Sequence, residues 1–312
     1  MVVAGIDGGG TKTECWVADL EGRVLGRGVA AGANVLATER AALCAALREC
    51  LHRALADAGR EEGDLRAVCL ALAGYWPGRA SAPTPQDLAG IFPEGTVLRL
   101  EPDVHAALQS AVGGGPGVAL IAGTGSIAFG RRAQGATARA GGWGHLLGDE
   151  GSAYWIGLRA VHAALRSADG REEATVLART IPGALGCASP ADMVPLAYQC
   201  QAMGKREVSA LAPLVTEAAA AGDPVATRIL HDAAQELALL VAAVARPLGL
   251  EGEAFPVVAT GGVFRAGGPI LEPLRAALAS RVPGARLSQA EVRPAWGAAL
   301  LAIQAIADCP SG

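Results

Sequence analysis

Aromatic residues are scarce, at 4 % of 312 positions, and lysine is scarcer: Lys12 and Lys205 are the only two, every other basic residue being arginine. No CxxC pair occurs among the seven cysteines at positions 15, 44, 50, 69, 187, 200 and 309. That spacing argues against a zinc site and for reduced thiols of a cytoplasmic protein, serving mainly as small core residues. No uninterrupted apolar run approaches the roughly 20 residues a bilayer span needs, so no membrane partner is expected. The longest run, 237–245, reads as a buried helix. The first residues enter an apolar strand without a basic leader or cleavage site, so no secretory signal is expected. A net charge of −4 with no basic stripe disfavours nucleic acid as a partner. What remains is a chain 51 % hydrophobic, much of it alanine in short segments, and long enough for two domains.

The most informative stretch is Gly5-Ile6-Asp7-Gly8-Gly9-Gly10-Thr11-Lys12-Thr13. Glycines in a turn let backbone N–H groups converge on an anion without interference from side chains. A P-loop would place glycine before the lysine, whereas Thr11 stands there; a dinucleotide fingerprint starting at Gly8 and Gly10 would need a small residue where Thr13 sits. Both of those motifs also run into a helix. Here Cys15–Ala18 reads as a strand, Asp19–Gly22 as a turn and Arg23–Gly26 as a returning strand, which makes a β-hairpin. An anion-gripping hairpin with an acid at its tip resembles the opening of the actin/hexokinase/Hsp70 superfamily of ATPases.

Further along, Thr38 is placed to cap a helix reaching about Gly59, with leucines at 43, 47, 51 and 55. Residues 65–73 and 97–100 read as strands, the second delivering Glu101-Pro102-Asp103 to its carboxyl end, and 104–112 as a helix. Gly113-Gly114-Gly115-Pro116-Gly117 is the strongest linker signal and marks a domain boundary. The pattern then repeats in outline: strand 118–122, turn Gly123-Thr124-Gly125-Ser126, return strand 127–130. Helices are expected at 156–165, 191–203, 207–221, 224–246 and 269–281, strands at 255–259 and 286–292, and a last helix from Ala295. Two facing hairpins of this kind would cradle a polyphosphate.

Together with Thr260-Gly261-Gly262-Val263 and the last helix, one run makes the resemblance specific: Gly141-Gly142-Trp143-Gly144-His145-Leu146-Leu147-Gly148-Asp149-Glu150-Gly151-Ser152-Ala153-Tyr154-Trp155. The chain resembles the N-acetylglucosamine kinases, in the BadF/BadG/BcrA/BcrD-type branch of that superfamily. The resemblance implies an α/β fold: the duplicated, two-domain actin-like ATPase (ribonuclease H-like) architecture with an interdomain cleft. The expected domains are 1–115 with the C-terminal helix 296–312, and 116–295.

The resemblance further implies ATP and Mg²⁺ as cofactors, a small-molecule amino sugar as partner, and a homodimer. Asp103 matches the family's catalytic base, while its plainer role is to cap the helix that follows. Asp7 would hold Mg²⁺, mostly through waters. Gly9, Gly10, Thr11, Lys12, Thr124 and Gly125 fall on the phosphate-binding turns, and Gly261 and Gly262 on the nucleoside turn. Asn34, Ser126, Gly142, Trp143, Gly144 and Asp149 match sugar-contacting positions; a lone Asn such as Asn34 is otherwise a turn former. The implied reaction is ATP-dependent phosphorylation of N-acetylglucosamine at its 6-hydroxyl. The loop Leu72-Ala73-Gly74-Tyr75 lacks a serine that mammalian members carry near the sugar, and Ile127 stands where they have a polar residue, which leaves glucosamine as a competing substrate, with N-acetylmuramic acid a further one. An iron–sulfur activator of a dehydratase is another reading, and it would use Cys187 and Cys200.

Overall fold

Ten strands form two five-stranded sheets, and each sheet is built by its own segment of chain in the computed structural model, which describes residues 1–78, 83–133, 135–198 and 203–308. Unit 1 takes Met1–Gly114 and returns with the segment from Val292 onward; unit 2 is Gly115–Glu291. In unit 1 the strands are β1 (Val2–Gly8), β2 (Lys12–Ala18), β3 (Val24–Ala31), β4 (Leu65–Leu72) and β5 (Val97–Pro102). Their spatial order is β3-β2-β1-β4-β5, with β1–β2 and β2–β3 antiparallel and β1–β4 and β4–β5 parallel. Its helices are α1 (Arg40–Asp57), α2 (Pro85–Ala89), α3 (Asp103–Val112) and, from the returning segment, the last helix (Pro294–Asp308).

The two faces of this sheet follow from alternation along the strands. Val2, Ile6, Val17, Leu70 and Leu72 are buried with Leu43, Leu47, Leu51 and Leu55 of α1. Val3, Ala67, Cys69 and Ala71 are buried with Ala298, Ala299 and Ala302 of the last helix. The second layer is so thin that backbone meets backbone. A Cβ on Gly5 would lie 2.0 Å from Ala299 N, and one on Gly297 would lie 1.9 Å from Ala106 O. Small residues replace aromatics here because the helix sits almost on the sheet.

Unit 2 repeats the plan. Strands β6 (Gly117–Ala122), β7 (Ser126–Arg131), β8 (Thr137–Gly141), β9 (Phe255–Thr260) and β10 (Ala285–Gln289) run in the order β8-β7-β6-β9-β10, with the same antiparallel and parallel pairings in the same places. Its helices are α4 (Ala153–Ala168), α5 (Leu177–Ala184), α6 (Met193–Tyr198), α7 (Lys205–Ser209), α8 (Ala212–Ala220), α9 (Pro224–Ala245) and α10 (Gly268–Arg281), and the last helix of unit 1 is accordingly α11. Leu237, Val241 and Val244 of α9 bury with Val118, Leu120 and Val257 of the sheet. No described helix is long and apolar enough to cross a membrane.

Several local expectations change. Thr38 does not cap α1, because its N–H donates to Asn34 O in the preceding turn and the helix opens two residues later. The helix expected over 207–221 is two, since Pro213, lacking an N–H, starts α8 afresh after α7 ends. The one expected over 191–203 holds part of a 3₁₀ turn (Pro190–Asp192) and α6, and residues 199–202, with Cys200, lie outside the described residues, as does Cys309. Strand β8 and helix α5 had no sequence signal: Thr-Ala-Arg-Ala-Gly lacks branched residues beyond its threonine, and α5 contains Pro182.

Candidate functional site

In unit 1, parallel β1, β4 and β5 end together. Gly8 pairs with Leu72 and Leu72 with Pro102, so Asp7 and Asp103 emerge at the carboxyl edge of one sheet with a single strand between them. Ligand sites of open α/β sheets gather at this edge. The capping role foreseen for Asp103 is not present: the N-cap of α3 is Pro102, which has no side-chain donor or acceptor, and Asp103 is the first residue inside the helix, its Oδ1 accepting the adjacent Val104 N–H at 2.9 Å. Burial raises the Asp103 pKa above the ordinary carboxylate value, while the N–H groups of Val104 and of Asp103 itself and the neighbouring His105 oppose that rise. Asp7 is pushed up to about 7, first by burial, then by the negative charge of Asp103 and of Glu14, against which Lys12 acts in the other direction. This edge therefore holds more negative charge than the protein alone compensates.

Behind Asp103, Glu101 binds His105 Nδ1 at 2.6 Å and Arg99 Nε at 2.7 Å. Burial alone would raise the Glu101 pKa, and these two partners reverse the shift.

The glycine turn lies beside the same edge. Gly9 N–H donates to Lys12 O, and Ala33 N–H to Gly9 O. A Cβ on Gly32 would lie 2.5 Å from Gly10 O, so that glycine lets the next strand connection pass under the turn. Thr11 and Lys12 are exposed, and Lys12 Nζ donates to Glu14 Oε2 at 2.7 Å. Asn34 is a turn former here: its Oδ1 accepts Leu36 N–H at 2.8 Å.

In unit 2 the hairpin turn Gly123-Thr124-Gly125 is coupled to the glycine-rich run. Ser126, 3 % exposed, donates its hydroxyl to Glu150 O at 2.6 Å and its N–H to Asp149 Oδ1 at 3.4 Å. Asp149, also 3 % exposed, has φ +63°, the only positive φ outside glycine among the described residues. Aspartate tolerates that region better than most residues, and strain of this kind concentrates at functional sites. A Cβ on Gly125 would stand 2.7 Å from Asp149 Oδ2, so the glycine makes room for the carboxylate. Lys205 Nζ lies 3.3 Å from the same oxygen.

Gly142, at φ +70°, rests on Ile127, which a Cβ there would meet at 2.7 Å. Ile127 thus supports the loop from beneath. Trp143 is 60 % exposed under the Arg139 guanidinium, 4.6 Å from its ring centre, and Gly144 follows at φ +85°. His145 braces the loop edge-on against Tyr154.

A cavity of about 700 Å³ opens beside the Gly123-Thr124 turn, walled by Gly262–Ala266 and by Arg206, Ser209, Pro213 and Glu217 of α7 and α8. Gly261 and Gly262 divide their work. A Cβ on Gly261 would lie 2.3 Å from Ala122 O, so this glycine serves close packing of β9 on β6, whereas Gly262 has open space before it and faces the cavity. Sequence reasoning missed Arg206, Ser209, Glu217 and Arg265 in this wall, and Lys205 beside it. Only Lys205 carried a signal, as one of two lysines in the chain.

A profile of the BadF/BadG/BcrA/BcrD ATPase family matches residues 4–302. The chain belongs to that family. Within it, the chain is 32 % identical over 96 % of its length, and 97 % of the relative's, to a protein of Clostridium acetobutylicum named N-acetylmuramic acid/N-acetylglucosamine kinase. It is 30 % identical over 97 % of its length, and 98 % of the relative's, to one of Dictyostelium discoideum named N-acetyl-D-glucosamine kinase. A Chromobacterium violaceum structure provisionally named N-acetylglucosamine kinase superposes with a TM-score of 0.75 at 28 % identity, over 97 % of this chain and 99 % of that one. The fold is that of the actin-like ATPases, two α/β units of one topology.

Proposed function

We propose that this chain is an ATP-dependent amino-sugar kinase, transferring the γ-phosphoryl group of ATP to the 6-hydroxyl of N-acetylglucosamine. The observation that carries the reading is the pairing of Asp7 and Asp103 at one sheet edge, with the Asp7 pKa pushed up to about 7 in part by its neighbour. The names of the Clostridium and Dictyostelium relatives support the substrate class.

In this mechanism the unit 2 cavity takes the adenosine and Thr124 and Gly125 meet its phosphates, while Gly9, Gly10, Thr11 and Lys12 form the corresponding anion-binding turn of unit 1. Asp103 accepts the proton of the sugar hydroxyl as the oxygen attacks phosphorus. Its raised pKa makes it a stronger base than an ordinary carboxylate, and its bond from Val104 N–H fixes its orientation. Asp149, Asn34, Ser126 and the Gly142-Trp143-Gly144 segment hold the sugar. Asp149 is suited to paired hydroxyl contacts because it is buried, oriented by Ser126 N–H and charge-balanced by Lys205.

The surplus negative charge around Asp7 fits a divalent cation. Among the described residues no three His, Cys, Asp or Glu side chains converge on a metal-sized site. A cation that keeps most of its waters and binds through one carboxylate and the nucleotide suits this arrangement, and that describes Mg²⁺. Held there by Asp7, Mg²⁺ would supply countercharge to the phosphates. The reading extends to a cytoplasmic homodimer in which the two units act as the functional domains.

A coupled ADP-release assay across N-acetylglucosamine, glucosamine, N-acetylmuramic acid and glucose tests the proposal. Fastest turnover with N-acetylglucosamine is expected; no sugar-dependent ADP release would overturn it. Ile127 lies under Gly142 rather than carrying a polar group, so glucosamine is the comparison that matters most.

A further inference from the structure

We infer that Lys205 is a catalytic cation of unit 2, whose ammonium engages the polyphosphate of the bound nucleotide. The inference rests on the kinase reading above. Lys205 opens α7, and the next residue, Arg206, lines the same cavity as Thr124. Its Nζ sits 3.3 Å from Asp149 Oδ2, the oxygen that would come within 2.7 Å of a Cβ on Gly125. One carboxylate thus separates the ammonium from the turn assigned to the phosphates. The Lys205 side chain is about one-third exposed, against 4 % for Asp149, so the cation has a free side toward solvent while its partner does not.

Close packing sets this position. A Cβ on Gly157 of α4 would stand 2.0 Å from Val208 O, so glycine there lets α7 lie directly on α4 and brings its first residue to Asp149. In a chain that otherwise uses arginine, a lysine at this point supplies a compact charge with three rotatable donors. It can keep Asp149 and still donate to a phosphate oxygen. A cation aimed at transferring phosphoryl oxygens acts where charge develops, which makes it catalytic as well as binding.

The alternative is that Lys205 serves only to compensate buried Asp149, whose unpaired charge would be costly. Calorimetry on the full chain separates the two. Dissociation constants are measured with Mg²⁺ for a non-hydrolysable ATP analogue and for AMP, which shares the adenosine but not the β- and γ-phosphates. The variants are Lys205→Met and the double variant Lys205→Met with Asp149→Asn, which leaves no orphaned buried charge if the single variant folds poorly. We expect the ATP analogue to weaken tenfold or more in both variants, AMP to change less than threefold, and kcat of the single variant to fall a hundredfold or more. An ATP-to-AMP affinity ratio equal to that of the parent would overturn the assignment, with any loss then confined to the KM for sugar. Failure of the parent chain itself to bind either nucleotide would instead sink the kinase reading, and this inference with it.

Discussion

Replacing Asp7 with asparagine should stabilise the protein at neutral pH, although it removes a group assigned to the reaction. Folding raises the Asp7 pKa from 3.8 to about 7, so the folded state binds this proton more tightly than the unfolded chain does. The sign follows: below about pH 4 the carboxyl is protonated in both states and costs nothing. As pH rises toward about 7 the unfolded chain ionises first, and folded stability falls until the native group ionises too. About 3 units at 1.36 kcal/mol each sets an upper limit near 4 kcal/mol. Local relaxation and water entry reduce that, so a gain of roughly 2–3 kcal/mol above pH 7 is expected for Asp7→Asn. Thermal unfolding followed by circular dichroism in EDTA, at half-unit steps from pH 4.5 to 8, would read it. The curves of parent and variant should converge at the acid end and separate by several degrees at the alkaline end. Since Asp103 is the second contributor after burial, Asp103→Asn should recover part of the gain, and the two gains together should fall short of their sum. A variant no more stable than the parent at pH 8, or an advantage that does not grow with pH, would refute the claim that uncompensated charge sits at this edge.

Other consequences follow from the same geometry. Asp103→Asn can keep the bond from Val104 N–H while removing the base, so kcat should fall about 10²–10⁴-fold in the coupled assay with little change in sugar affinity. Gly157→Ala inserts a methyl 2.0 Å from Val208 O and should push α7 off α4, weakening nucleotide binding at least tenfold by calorimetry. Asp223 accepts N–H groups of Val225 and Ala226 and the Thr175 hydroxyl and Val176 N–H. Asp223→Ala should therefore cost about 2–4 kcal/mol in urea unfolding. Burial alone would raise the Asp223 pKa, but these donors outweigh it and hold the pKa low, so its contribution is present above about pH 4 and fades as acid protonates the folded group.

The sequence made the backbone plan of the site readable because hairpins, glycine turns and strand ends leave local signals. The strand–glycine–strand pattern at Gly8-Gly9-Gly10, and the weaker one at Gly123-Thr124-Gly125, mark β1–β2 and β6–β7, and Pro102-Asp103 marks the end of β5. What stayed hidden was set by packing between distant segments. Lys205 and Asp149 are 56 residues apart and meet only because Gly157 admits α7, while Arg206, Ser209 and Glu217 look like an ordinary polar helix face until the cavity wall is seen. The glycines show the same limit. Gly261 and Gly262 read alike in sequence, yet one packs on Ala122 and the other fronts the cavity.

The duplicated topology makes the chemical difference between the units plain. Asp7 is the next-to-last residue of β1, and Asp103 stands just beyond β5; at the matching points of unit 2 the chain has Ile121, next-to-last in β6, and Ala290, just beyond β10. The unit 1 edge therefore carries Asp7 and Asp103 with Lys12 nearby, whereas unit 2 carries Asp149 with Lys205, and Arg206 and Arg265 in its cavity wall. Burial first, and then repulsion from Asp103, leave the Asp7 carboxyl holding its proton up to about pH 7. A ligand that brings its own countercharge would relieve that repulsion, so part of the stability given up at the β1–β5 edge is expected to return as binding energy for a cation-bearing nucleotide. Adding Mg²⁺ and an ATP analogue should accordingly raise the melting temperature of the parent more than that of Asp7→Asn, and an equal rise in both would break this link between strain and affinity.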